Sequence, residues 1–161
     1  MRTASYDEGV ADEGVAGASS MRFDPKVLER LQMFVEEHPG LSLSAAANLL
    51  VDEALRSSAH PLVAFVDGPS GRRARLAGGP DVDRVIRALV STQEAEPGLT
   101  IDELLSVVGE TSDVPEQTIR AAVEYWADFP EEIDARIEEG RQAETEAREK
   151  WRAAHGEVAD S

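Results

Sequence analysis

The segment from Ser20 to Phe23 constrains the fold of this chain more than any other. Its alternation places Met21 and Phe23 on one side of a strand and Ser20 and Arg22 on the other, as a half-buried strand requires. So short a strand is stable only when a second strand pairs with it. Because helical patterns follow directly, we expect the second strand to come from another copy of the chain. The segment therefore predicts an obligate homodimer joined through an N-terminal two-stranded ribbon.

Two helical patterns follow this strand. The Asp24-Pro25 pair supplies an N-cap and a residue suited to the first helical position, and apolar residues then recur at helical spacing until residues 38–40 stop the helix. The second helix takes Ser42 or Ser44 as its cap and has a wide apolar face. Residues 19–59 are therefore predicted to form one strand-helix-helix module.

The rest of the chain predicts a second module. Residues 63–76 suggest two strands joined by a tight turn. Three helices follow, capped by Asp81, capped by Thr100 with Glu103 completing a capping box, and opened by Pro115. Three short helices with these spacings suit a compact helix-turn-helix-like bundle.

The absence of certain residues and segments narrows the class of protein. The chain has no cysteine, which excludes disulfides and thiolate metal sites. Nothing near the N-terminus resembles a signal peptide, and no apolar run approaches the roughly 20 residues of a membrane span. We therefore expect a soluble, cytoplasmic protein.

Charge is distributed unevenly along the chain. The formal net charge is −16, and residues 91–161 contain 19 acidic against 6 basic side chains. Residues 60–90 instead carry five basic against three acidic side chains. Because the net charge is negative, the overall electrostatic potential of the chain cannot attract nucleic acid. Affinity for DNA must come from a few placed cations and from helix termini.

The N-terminal pattern resembles the ribbon-helix-helix family of CopG and VapB-type antitoxins and repressors. The residues that carry the resemblance are 21–25, 28–31, 40–50 and 52–55. Residues 67–73, 77–82 and 125–134 resemble a small strand-plus-three-helix domain found beside some VapB-type modules. The resemblance implies a cytoplasmic, nucleoid-associated repressor that controls its own operon and binds a cognate toxin, often a ribonuclease.

These patterns together predict a mainly α fold with short β-strands. We expect a disordered arm at 1–18, a ribbon-helix-helix dimerisation and DNA-binding module at 19–59, a β-hairpin plus three-helix domain at 61–130 and an acidic charged helix or tail at 131–161. In the last segment, Ile133, Ile137 and Trp151 are the few apolar anchors.

A ribbon inserted into the major groove presents the side opposite its core to the bases. On this chain that side carries Ser20 and Arg22, which become the candidate base contacts. Ser42 and Ser44 at the start of the second helix are candidate phosphate contacts. The alternatives are an ordinary exposed arginine on the strand and serines that serve only as helix caps.

Arg72, Arg73 and Arg75 form the only dense basic cluster. They are candidate phosphate contacts or a site for an acidic partner, and the alternative is an ordinary solvated hairpin. The third helix of the bundle sets several acidic residues against Arg120 alone. Such a face repels phosphate, so we expect this helix to pack or to bind protein.

The C-terminal segment is the candidate toxin-binding region. It can cover a basic surface of a toxin by charge complementarity, or its arginines can reach a carboxylate-lined nuclease site. The candidate toxin-binding residues are Arg141, Arg148, Trp151 and Arg152. A solvated, charged helix is the alternative.

Catalysis and cofactor binding are not expected. His38, His60 and His155 are scattered, and the glycine-rich turns lack the lysine of a phosphate-binding loop. The expected partners are operator DNA, a cognate toxin and a second copy of the chain, with no membrane, metal or cofactor. The competing hypothesis is a dimeric protein-interaction adaptor that does not bind specific DNA sequences.

Overall fold

The computed structural model describes residues 21–155 of the chain. These residues form six α-helices and one β-hairpin, in the order α1 (Pro25–Glu37), α2 (Leu43–Ala59), β1 (Val63–Val66), β2 (Arg73–Leu76), α3 (Val82–Ala95), α4 (Ile101–Ser112), α5 (Glu116–Asp128) and α6 (Pro130–His155). The mainly helical fold with a short β component is confirmed. The chain divides into two compact units, Met1–Ala47 and Asn48–Ser161.

The ends of α1 follow from local chemistry. The Asp24 side chain accepts a hydrogen bond from the backbone N–H of Lys26 at 2.9 Å, and Pro25 occupies the first helical position. After the C-cap at His38, Gly40 has a φ of +94°, a conformation that glycine adopts readily. The predicted boundaries of this helix are confirmed.

The hairpin in the second unit is antiparallel, with Val63 opposite Leu76 and Val66 opposite Arg73. Reciprocal backbone hydrogen bonds between Gly68 and Gly71, at 3.0 and 3.1 Å, close its turn. A Cβ at Gly68 would lie 1.1 Å from Nη1 of Arg73. Any larger residue there would displace the end of the Arg73 side chain, which lies across the turn.

The core of the second unit lies between the hairpin and the helices α3 to α6. Each helix contributes apolar residues at helical spacing. The largest fully buried side chains are Leu76, Val82, Ile86, Leu105, Ile119, Tyr125 and Ile133. The predicted capping box at the start of α4 is also present, because the side chains of Thr100 and Glu103 each accept from the other's backbone N–H. The predicted antiparallel hairpin is thus confirmed, and α6 joins the three helices that follow the hairpin in one core.

Asp81 does not act as the sequence predicted. It occupies the N-cap position of α3, but its side chain makes no capping hydrogen bond. The carboxylate instead accepts from Nε of Arg73 at 2.6 Å. The predicted N-cap position is therefore confirmed, but the side-chain capping hydrogen bond is not made, because the carboxylate pairs with an arginine of the neighbouring strand.

The last helix, α6, spans 26 residues, or about 39 Å at the rise of an α-helix. Ile133 and Ile137 are buried, as predicted. Trp151 is 63% exposed and stacks on His155 with 4.7 Å between ring centroids. The expected anchoring role of Trp151 is wrong within the single chain, because this tryptophan lies beyond the last buried residue of the helix.

The predicted ribbon lies partly outside the described residues. Ser20 is not among them, and neither are residues 1–18 of the predicted arm. Met21, Arg22 and Phe23 have no regular secondary structure in the single chain. Because the expected ribbon forms between two chains, it stays a prediction.

None of the helices described here is long and apolar enough to cross a membrane. The helices of the second unit that contribute to its core have an apolar face and a charged face, as is typical of helices at the surface of a folded domain.

Candidate nucleic-acid interface and partner surface

Arg22 lies immediately before α1 and is exposed. Its neighbour Phe23 is partly buried, whereas Met21, predicted on the same side of the strand as Phe23, is exposed in the single chain. Ser20, the other candidate base contact, lies outside the described residues. The position of Arg22 leaves its guanidinium accessible to a ligand.

The two candidate serines at the start of α2 have different roles. Oγ of Ser42 accepts a hydrogen bond from the backbone N–H of Ala45 at 3.1 Å, so Ser42 is the capping residue. Ser44 lies inside the first turn and is exposed. The first turn contains no acidic residue. Its positive dipole end is therefore not offset by a local carboxylate.

The arginines of the hairpin form ion pairs and hydrogen bonds with acceptors in their own unit. Nε of Arg72 lies 2.6 Å from Oε1 of Glu53, and Nη1 lies 3.1 Å from Asp67. The hydrogen bond to Glu53 is the main cause that raises the pKa of Arg72 above its ordinary value. Neutralised in this way, Arg72 is poorly placed to bind phosphate.

Arg73 and Arg75 share the same carboxylate. Arg73 pairs with Asp81, and Nε of Arg75 lies 3.7 Å from the other oxygen of that carboxylate and 3.1 Å from the carbonyl of Gly79. This geometry favours a structural role for the arginine cluster over the phosphate contact that the sequence suggested.

Sequence reasoning missed a cluster around Arg56. Nη1 of Arg56 donates to Tyr125 Oη at 3.2 Å and to a carboxylate oxygen of Glu132, and the guanidinium lies 4.2 Å from the ring centroid of Phe129. Burial is the main cause that raises the pKa of Tyr125 to about 12. The aromatic residues near the end of α5 were the only sequence signal for this cluster.

A second link in the same region joins His60 to Asp128. Nε2 of His60 lies 2.9 Å from Oδ2 of Asp128, and the imidazole meets the Tyr125 ring edge-on at 5.2 Å between centroids. Together with the Arg56 cluster, this contact fixes the second half of α2 and the residue after it onto α5. The region is a packing site, in which Nε of Arg56 lies 2.8 Å from a carboxylate oxygen of Asp52.

The third bundle helix, α5, packs as expected. Ile119, Ala122 and Tyr125 are buried. Arg120 pairs with Glu116 at 2.7 Å and with Asp102 at 2.8 Å, so the only basic residue on this helix is neutralised. The remaining acidic side chains, Glu124 and Asp128, are exposed. Such a face does not attract phosphate.

The outer half of α6 is the most exposed helical surface described. Every residue from Arg141 to His155 is exposed, including the candidate toxin-binding residues Arg148, Trp151 and Arg152. Ala147, Trp151 and Ala154 continue the helical spacing of the buried Ile133 and Ile137. The outer half of the helix therefore carries exposed apolar side chains on this face, with cations beside them.

Residues 21–155 contain no group of three metal-ligating side chains that could hold a metal ion. No family model, curated protein or solved structure matches the chain. Its geometry and its sequence patterns therefore carry the functional argument.

Proposed function

We propose that the protein is a homodimeric, DNA-binding transcriptional repressor with an N-terminal ribbon-helix-helix module. In this proposal it acts as the antitoxin of a type II toxin-antitoxin pair, represses its own operon and neutralises a ribonuclease-type toxin. The proposal rests on the N-terminal pattern and on surfaces in each unit that the single chain leaves uncovered.

The observation that carries the proposal is the uncovered apolar surface of the first unit. Among residues 21–47, Leu31 and Ala46 are the only buried hydrophobic residues, whereas Met21, Val27, Met33 and Leu43 are exposed. Isolated apolar residues are common on surfaces, but four in so short a module indicate an interface. A second copy that pairs strand with strand supplies the cover by two-fold symmetry.

The proposed DNA contacts follow from this dimer. Arg22 and Ser20 of each strand face the bases, where arginine can contact guanine through two hydrogen bonds. The first turn of α2, with Ser42 as its cap and Ser44 exposed beside it, contacts a flanking phosphate. Few cations are involved, so we expect moderate affinity and a shallow dependence on salt.

The proposed toxin contact is the outer half of α6. Trp151 is exposed there, and tryptophan and arginine are among the side chains most enriched at the centres of protein interfaces. Arg141, Arg148, Trp151 and Arg152 are the proposed contact residues. A product encoded beside this gene is expected to copurify with the full chain and to be released by Trp151→Ala.

Fluorescence anisotropy with labelled promoter DNA tests the DNA-binding function. The DNA upstream of the protein's own gene is titrated at low and moderate salt, beside a scrambled duplex of the same composition. We expect the promoter to bind more tightly than the scrambled duplex at both salt concentrations. Equal, weak binding of both duplexes would contradict the repressor function.

The second candidate is a dimeric protein-interaction adaptor. It is favoured by the internal pairing of the hairpin arginines and by the acid excess of residues 91–161. Both features reduce the attraction of the second unit for DNA. The adaptor predicts an intact dimer that fails to distinguish the promoter from the scrambled duplex.

A further inference from the structure

An open groove lies in the second unit between the hairpin turn, the start of α3 and the middle of α6. Its volume is about 580 Å³, within the usual range for small-molecule sites. Four guanidinium groups line it, although the chain as a whole carries 32 acidic and 16 basic side chains. They belong to Arg73, Arg84, Arg87 and Arg136.

Two of these arginines are paired with carboxylates, and the other two form no ion pair within the part of the chain that the structure describes. Arg73 pairs with Asp81, and Nη2 of Arg87 lies 2.6 Å from Glu144. Arg136 donates to a neutral acceptor, the backbone carbonyl of Arg72. Arg84 makes no ion pair with any residue between 21 and 155. The groove can therefore accept a carboxylate or another oxyanion between Arg84 and Arg136.

Two carboxylates balance the two available cations. Asp83 and Glu139 also line the groove, and neither is paired with a cation among the ion pairs of the described region. Asp83 is partly buried, and Glu139 is exposed. These two carboxylates would repel a purely anionic ligand. They would attract the cationic nitrogen of a ligand that carries both a carboxylate and a positive charge.

The lack of a side chain at Gly140 leaves room in the groove. This glycine lies inside α6, where glycine costs about 1 kcal/mol relative to alanine. The nearest atom to an added Cβ is Nη1 of Arg87 at 3.7 Å, an ordinary contact distance. The packing of the protein therefore does not require glycine here. An alanine methyl group would instead occupy part of the groove.

We propose that this groove binds a small zwitterion of the basic amino-acid class, with its carboxylate between Arg84 and Arg136 and its distal cationic nitrogen beside Asp83 and Glu139. The groove is large enough for such an extended molecule, and its lining offers both cations and carboxylates. The four residues proposed to bind the ligand, Arg84, Arg136, Asp83 and Glu139, are not among the residues proposed to contact DNA or toxin.

Isothermal titration calorimetry and thermal unfolding of the full chain test the proposal, with L-arginine as the probe at low salt. Citrate serves as the anion without a cationic end, and agmatine serves as the cation without a carboxylate. We expect L-arginine to bind and to raise Tm, and citrate and agmatine to bind at least about tenfold more weakly. No binding of L-arginine, or equal binding of either comparison compound, would overturn the proposal.

Substitutions locate the site. Arg84→Gln and Glu139→Gln are expected to weaken L-arginine binding about tenfold or more, while the charge-matched control Arg30→Gln on α1 leaves it unchanged. Gly140→Ala is expected to raise Tm without ligand and yet weaken binding, a combination that general destabilisation cannot produce. Unchanged affinity in Arg84→Gln and Gly140→Ala would place any binding elsewhere and overturn the assignment.

Discussion

Nε of Arg72 on the hairpin lies 2.6 and 2.8 Å from the two carboxylate oxygens of Glu53 on α2. The Glu53 side chain is only 8% exposed. A buried carboxylate is stable in the charged state only when a cation and hydrogen bonds replace its water. This pair therefore secures the hairpin to the second half of α2.

Glu53→Gln is expected to destabilise the fold by about 2 kcal/mol, because it removes a charged hydrogen-bond acceptor and leaves the guanidinium without its main partner. Urea unfolding followed by circular dichroism measures the change. The control is Asp67→Asn, which removes the exposed partner of the same arginine and should cost less than about 1 kcal/mol. Equal losses in the two variants would contradict the structural role of Glu53.

Tyr125 should make stability fall at high pH. Burial raises the pKa of Tyr125 from 10.0 to about 12, so the unfolded chain loses this proton at a lower pH than the folded chain. The contribution, about 3 kcal/mol, is fully present below pH 10 and is lost as pH rises through 12. Phenolate absorbance in the variant Tyr6→Phe, which leaves Tyr125 as the only tyrosine, measures the titration. A midpoint near pH 10 in the folded protein would contradict this prediction.

The two serines at the start of α2 should differ in their effect on stability. Ser42→Ala removes the side-chain cap and is expected to cost about 1 kcal/mol. Ser44→Ala leaves the cap intact and places a better helix former in the first turn, so stability should not fall. Thermal unfolding of the two variants compares them directly. If Ser44→Ala were the more destabilising variant, the cap would be assigned to the wrong serine.

Arg22→Ala tests base recognition. We expect it to remove about 1–3 kcal/mol of discrimination between promoter and scrambled DNA for each half-site, while light scattering still shows a dimer. Arg30→Ala removes an equal charge from the exposed face of α1 and should weaken binding to both duplexes alike. Retention of promoter preference in Arg22→Ala would exclude Arg22 from base recognition.

Local signals predicted the secondary structure well. Pro25 after Asp24 marked the start of α1, and Thr100 with Glu103 marked that of α4, because capping depends on neighbouring residues. The apolar spacing of α3 to α5 predicted their buried faces for the same reason. These features could be predicted because each is determined within about one helical turn.

Long-range polar contacts could not be predicted in this way. Arg56 and Tyr125 are 69 residues apart, and Arg56 and Glu132 are 76 residues apart. No periodicity or motif links residues at such separations. Asp81 shows the same limitation, since the sequence marks it as a cap but the folded hairpin brings Arg73 to its carboxylate. The sequence therefore named candidate site residues, which stay a prediction, whereas the partners of the hairpin arginines became apparent only in the folded unit.

Sedimentation equilibrium of the full chain at micromolar concentration tests the central claim most directly. The account predicts a particle of twice the 17.4 kDa chain mass, which becomes monomeric when Phe23→Lys places a charge on the apolar side of the predicted ribbon. A stable monomer of the unmodified chain at that concentration would contradict the dimer and, with it, the proposed mode of DNA binding.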